Sequence, residues 1–308
     1  MSPAYIPDGG PPYPSPTLPI GLTPTPIPDI PLCATFILLY LVYIPLNLVL
    51  SPHDLYSRPI FTVILTVFPV LRIVSLALRI VWSLDRSNLK LEISATVFSF
   101  AGVVLLYILD LLSARRYVRD YAVFGYRPIV KGVFRFGIAL IIISLIMGII
   151  VTANVYFVPR DNNREEVLKE CRDVALVAGT ILAVLAFVPV LVVAVVICFK
   201  AGDVVGIEKR RYRARTELLL STAALLSLEA GFRVGSAYAA RPVGEKPGWY
   251  ESKAAFYCLT YLLELLVIYS LLAARLDGRF RKRRVETGPG RGWSERVNTQ
   301  EEVFGDPG

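Results

Sequence analysis

The apolar residues of this chain are gathered into long blocks, and the polar ones into short stretches between them. A helix rises about 1.5 Å per residue, so about 20 apolar residues cross the roughly 30 Å hydrocarbon core of a bilayer. Seven windows reach that length, at about 32–50, 60–82, 93–113, 136–157, 174–199, 216–240 and 254–274. The fourth and fifth are the purest, with IALIIISLIMGIIV and ILAVLAFVPVLVVAVVICF. The pattern predicts an all-α fold, a polytopic membrane bundle of seven transmembrane helices within residues 32–275. Pro45, Pro69 and Pro189 fall inside spans and are expected to kink them.

The ends of the chain read differently. Residues 1–31 hold 11 of the 22 prolines and no Lys or Arg. A stretch of that kind is expected to be an extended or disordered tail that packs no core, and it contains no separate apolar region of a secretory signal. Its PxxP patterns, Pro11–Pro14 and Pro16–Pro19, have the form of SH3 ligands. Residues 276–308 begin with the basic run RFRKRR and continue as a Gly-rich, aperiodic tail for which disorder is expected. The run places Arg279, Arg281, Lys282, Arg283 and Arg284 just beyond span seven, within reach of anionic lipid head groups.

The distribution of basic residues gives a direction. The linkers after spans one, three and five together with the C-terminal tail hold 21 Lys and Arg, whereas the opposite side holds 9. Basic residues concentrate on the cytosolic side, so the expected topology has the N-terminus outside and the C-terminus in the cytosol. On that topology the PxxP patterns are beyond the reach of cytosolic SH3 domains.

Composition narrows the function classes. Of 308 residues, 55% are hydrophobic and the mean hydropathy is +0.56, against about 45–50% apolar for a soluble domain. The net charge of +8 comes from runs that flank apolar blocks, so it reads as a topology signal and not as a nucleic-acid surface. Four cysteines without paired spacing and one histidine, His53, leave no metal set. Cys33 and Cys171 both fall at outer span ends, where a disulfide is conceivable, but four unpaired thiols are the expected state.

Charges inside the spans are the candidate chemistry, because a charge at the bilayer centre costs at least about 2.5–3.5 kcal/mol. Arg72, Ser75, Arg79 and Trp82 share one face of span two, and Tyr257, Thr260, Tyr261 and Glu264 share one face of span seven. Glu229 and Arg233 lie one turn apart in span six. At about 1.5 Å per residue, Arg72 and Glu264 both fall within about 2 Å of the midplane, so they are expected to pair. Arg79 and Arg233 lie farther out and are expected to compete for Glu229. Gly231, Gly235 and Ala239 form a small-residue ridge on the other face of span six, expected to receive a neighbouring helix inside the bundle. Asp110, near the cytosolic end of span three, is expected to snorkel or cap.

Two segments carry a likeness. SLALRIVWSLDRSNLKLEISATVFSFAGVVLLYILDLLSARRYVRD (residues 75–120) and WYESKAAFYCLTYLLELLVIYSLLAARLDGRF (residues 249–280) are the longer parts, and PTLPIGLTPTPIPDIP (residues 16–31) accompanies them. Together they resemble a family of fungal multi-pass membrane proteins known as domain of unknown function 3112. The resemblance implies seven spans and a fungal source. It implies no activity, ligand or catalytic residue.

Three function classes remain. The first is a transporter or translocator of lipophilic or lipid-like compounds, along a polar path between spans two, six and seven. The second is a seven-helix receptor-like sensor, although span three ends in SARRYVRD and span seven has neither an Asn-Pro-x-x-Tyr motif nor a buried lysine for a retinal Schiff base. The third is a membrane scaffold. An enzyme is not expected, since neither a metal-ligand set nor a catalytic triad is visible, and no cofactor is implied. The expected partner is the lipid bilayer, of the plasma membrane or an endomembrane, and protein partners are not indicated.

Overall fold

Each apolar block forms one helix in the computed structural model, which describes residues 11–50, 59–121, 127–158, 164–200 and 207–286. The helices are α1 (Pro26–Leu50), α2 (Pro59–Leu84), α3 (Leu89–Tyr121), α4 (Pro128–Phe157), α5 (Arg164–Lys200) and α6 (Ile207–Tyr238). The last, α7, begins with an α-helical turn (Lys253–Phe256), continues as a π-helical segment (Tyr257–Leu262) and ends as an α-helix (Leu263–Glu286). Among the described residues, these seven helices are long and apolar enough to cross a membrane. Most outrun their apolar windows because polar turns extend the backbone hydrogen bonding past the hydrocarbon boundary.

The helices pack in chain order, each against the next, and α1 returns to α7. α3 also packs on α5 and α6, so it runs closest to the centre. Consecutive helices alternate in direction. One end of the bundle therefore gathers the starts of α1, α3, α5 and α7 with the ends of α2, α4 and α6. It is called the tail-side end here because residues 11–25 lie across it, and the opposite end is the basic end.

The exterior is apolar, and the centre mixes apolar side chains with buried ionic ones. Leu38, Leu48, Val49, Val133, Ile143 and Val184 are among the exposed apolar side chains, as expected of helices whose outer solvent is hydrocarbon. Arg72, in contrast, is fully buried and heads the large buried side chains. With lipid outside there is no hydrophobic gain from facing apolar residues inward, so polar contacts are concentrated where the helices meet.

The proline-rich stretch departs from the expectation. Residues 11–25 form an extended strap across the tail-side end, and residues 26–31 make the first turns of α1 instead of belonging to the tail. The Tyr13 amide donates to the Tyr156 carbonyl (2.7 Å), Leu18 to Arg241 (3.0 Å) and Gly21 to Glu251 (3.2 Å), while the Val243 amide donates to the Pro16 carbonyl (3.1 Å). Prolines suit this role: they hold the chain extended at low entropic cost, and the few amides left find carbonyls at helix ends. Residues 1–10, the tail from 287 onward and His53 lie outside the described residues, as do the side chains of Arg279, Arg281, Lys282, Arg283 and Arg284.

The small-residue ridge is a second departure. Gly231, Gly235 and Ala239 are exposed, and a β-carbon on either glycine would meet nothing within 4 Å. The reason is the opposite face of α6, which carries Leu226, Glu229, Ala230 and Ser236 into the bundle and so turns the glycines outward. All four cysteines are free thiols, Cys33 and Cys171 buried and the other two exposed.

Gly21 fixes the strap's path. Its φ of +80° lies in the left-handed region, and a β-carbon there would sit 2.6 Å from the Phe256 ring. Gly21→Val is expected to destabilise the protein by about 2 kcal/mol or more through strain and overlap. Thermal unfolding in detergent reads this, and an unchanged midpoint would show that the strap is not seated on α7.

Candidate functional site

The site grows from three helix faces. Arg72, Ser75, Arg79 and Trp82 are all buried on α2. On α7, Ser252 caps the first turn by accepting from the Ala255 amide (3.2 Å). The π-helical segment follows, and its wider turn puts Tyr257, Thr260 and Tyr261 in the interior together with Glu264. α6 adds Glu229 and Arg233, the guanidinium Nε donating to the carboxylate at 3.0 Å.

At mid-depth Arg72 forms a buried ion pair with Glu264. Its other terminal nitrogen donates to the Ser99 carbonyl (2.7 Å), and the guanidinium lies over the Tyr261 and Phe68 rings at 5.1 and 5.6 Å. Gly102 makes room, since a β-carbon there would stand 3.1 Å from the guanidinium carbon. Tyr40 donates to the second oxygen of Glu264 at 3.4 Å, and an Arg233 nitrogen lies 3.8 Å from the first. Arg72, Glu264, Arg233 and Glu229 thus form a neutral set of two cations and two anions. Within it Arg72 Nε, Arg233 Nη2 and Glu229 Oε2 are buried without a hydrogen-bond partner.

A second group sits nearer the strap. Asp29 is fully buried, accepts from the Tyr257 hydroxyl (2.7 Å) and the Thr25 amide (2.8 Å), and pairs with Lys253 and with Arg79 (3.4 Å). Arg79 also donates to the Gly21 carbonyl (2.9 Å) and to the Tyr257 hydroxyl (3.1 Å), and stacks over Phe256 at 4.4 Å. The Cys33 thiol lies 3.1 Å from the Tyr257 hydroxyl. This group joins the strap, α1, α2 and α7.

Above the neutral set lies a cavity of about 780 Å³, within the range of small-molecule sites. Its walls are the tail-side halves of α2 to α7, with Phe100, Val151, Val155, Leu176 and Ala237 among the apolar positions. Ser75, Arg79, Arg233 and Tyr261 connect it to the two ionic groups, and strap residues 15–20 cover it. On the side of the neutral set facing the basic end, the interior is filled by buried Tyr43, Leu65, Phe68, Leu106, Leu109 and Ile268.

Compared with family models, curated proteins and solved structures, the chain matches none. The geometry is therefore the whole basis for reading the site.

The structure places all seven candidate residues, Arg72, Arg79, Glu229, Arg233, Glu264, Tyr257 and Tyr261, in these connected groups. It pairs Arg72 with Glu264 as expected and gives Glu229 to Arg233. It corrects the place of Arg79, whose carboxylate is Asp29 and not Glu229. The cause is the early start of α1, at Pro26 and not near residue 32, which puts Asp29 in its first turn beside the outer turn of α2. Asp110 does not snorkel. It is buried, and its Oδ2 has no partner among the described residues. Asp29, Lys253, Glu92, Ser99 and Tyr156 went unread in the sequence. For Asp29 the available signal was a carboxylate set against the first apolar block, in a stretch with no basic residue to balance it.

Removing one member of a buried ion pair leaves the other uncompensated, at about 3–5 kcal/mol, whereas replacing both by apolar residues is often close to neutral. Arg72→Met and Glu264→Met alone are each expected to lower unfolding stability by about that amount. The double variant Arg72→Met/Glu264→Met should recover most of it. Additive losses in the double variant would contradict the pairing.

Proposed function

We propose that this protein is an integral membrane sensor of the receptor-like kind, which binds a lipophilic small molecule in the tail-side cavity. The N-terminus and the cavity mouth then face outward and the basic end faces the cytosol, in keeping with 21 basic residues on that side against 9. Membership of the fungal family that residues 75–120 and 249–280 resemble belongs to this proposal and adds no activity to it.

One observation carries the reading: the cavity ends on the ion-paired set, with packed apolar and aromatic side chains on its far side. A ligand entering from the tail side meets a floor, so binding is favoured over passage. Binding there touches Arg79, Arg233 and Tyr261, through which it bears on α2, α6 and α7 together. Helices joined by a shared set of polar contacts have discrete arrangements, and a ligand that prefers one of them shifts the population.

Translocation of lipophilic compounds is the second reading. It draws on the three polar atoms of the neutral set that make no hydrogen bond among the described residues, a weak point in the floor where a path between α2, α6 and α7 would open. Reconstitution in liposomes separates the two. A radiolabelled lipophilic compound selected by thermal stabilisation should bind saturably, lose binding in Val155→Trp and Ala237→Phe, and reach the same luminal level as in protein-free vesicles. Accumulation above that level, abolished by Glu264→Gln, would replace the sensor reading with the translocator.

A further inference from the structure

Among the described residues, the buried carboxylates of the tail-side half are matched to bases with two exceptions, Glu251 and Glu92. Asp29 has Lys253 and Arg79, Glu264 has Arg72 and Arg233, and Glu229 has Arg233. Glu251 is held by the Arg241 and Gly248 amides. Glu92, in the first turn of α3, is only 9% exposed and lines the cavity. One oxygen accepts from the Tyr156 hydroxyl at 2.8 Å, and no basic side chain pairs with it among the described residues. Asp110 also lacks a basic partner, but it lies in the other half of α3 and does not line the cavity.

We infer that Glu92 is the recognition point for an organic cation, a protonated amine carried on an apolar body. The inference rests on the cavity being a ligand site. An ionised carboxylate out of water is costly unless a counter-charge compensates it. The protein supplies a hydroxyl and leaves the charge open, so a ligand ammonium completes the pair. Tyr156 holds the carboxylate in place by its first oxygen, and the second oxygen has no hydrogen-bond partner among the described residues. Phe100, Val151, Val155 and Leu176 on the same cavity walls take the apolar body. The charge pattern also argues against an anion. Of the basic residues at the cavity, Arg79 and Arg233 are engaged by carboxylates, Arg172 donates to the Tyr238 carbonyl (3.4 Å) at the exposed rim and Lys169 is exposed as well, so an anionic head would face Glu92 without a free cation in the interior.

Three compounds with one body and different heads test this on the full chain in lipid nanodiscs: 4-phenylbutylamine, 4-phenylbutan-1-ol and 4-phenylbutyrate. The amine is expected to bind at least about tenfold more tightly than the other two, the effect of one charge-assisted hydrogen bond. Glu92→Gln should bring the amine's affinity down to that of the alcohol in the same variant, and Glu92→Asp should keep the preference. If Glu92→Gln does not fold, the head-group comparison in the unaltered chain and in Glu92→Asp decides. Equal binding of the three heads, or an amine preference that survives Glu92→Gln, overturns the assignment and leaves the cavity as a ligand site. Failure of all three to bind overturns both.

Discussion

The ion pair between Arg72 and Glu264 is the constraint around which the bundle is arranged. Both groups are fully buried, at a depth where an unpaired charge costs several kcal/mol. Neither tolerates rotation of its helix toward lipid, so α2 and α7 are fixed in register and in azimuth. Gly102 lets α3 approach the guanidinium, Ser99 supplies a carbonyl to it, and Tyr40 brings α1 to the carboxylate. Arg233 brings α6 through the same carboxylate. Five of the seven helices thus meet at one pair, in a protein whose outer face gives them no hydrophobic reason to associate.

This arrangement divides the molecule into unequal halves. Toward the basic end, the interior holds the buried side chains of Leu65, Phe68, Leu106, Leu109 and Ile268. Toward the tail side, the helices spread around a cavity, and closure falls to the strap and the contacts of Asp29, Arg79, Lys253 and Tyr257. Placing Asp29 on the strap side couples the cover to the same helices that line the cavity. A change in ligand occupancy and a change in the strap are therefore not independent events, since Arg79 touches both.

The seven spans were legible because a membrane imposes length and polarity on each segment separately, without reference to its neighbours. Depth arithmetic located the Arg72–Glu264 pair for a related reason: two charges at the same depth in a thin low-dielectric layer have few other choices. The Glu229–Arg233 contact followed from i,i+4 geometry. What could not be read depends on how the chain folds back over itself. Asp29 reaches Arg79 because α1 begins at Pro26, ahead of its apolar block, and packs on α2. Tyr156 and Glu92 meet across α4 and α3, and no local pattern announces that contact. The glycine ridge of α6 had the spacing of a helix interface, but spacing alone does not say which face of a helix turns inward. There the buried Glu229 decided, and the ridge faces out.

The proposed sensor requires a cavity that is reached from the tail side alone and closed beneath the ion-paired set. Single cysteines introduced at Thr96 and Ala237, on the cavity walls, and at Leu65 and Leu109, beneath the set, test it with a membrane-impermeant methanethiosulfonate reagent applied from each side. Cys198 and Cys258, the two exposed native thiols, are first replaced by serine. In a sensor of this kind, positions 96 and 237 react from the tail side alone and positions 65 and 109 from neither. Reaction at 65 or 109, or at 96 from the basic side, would contradict it.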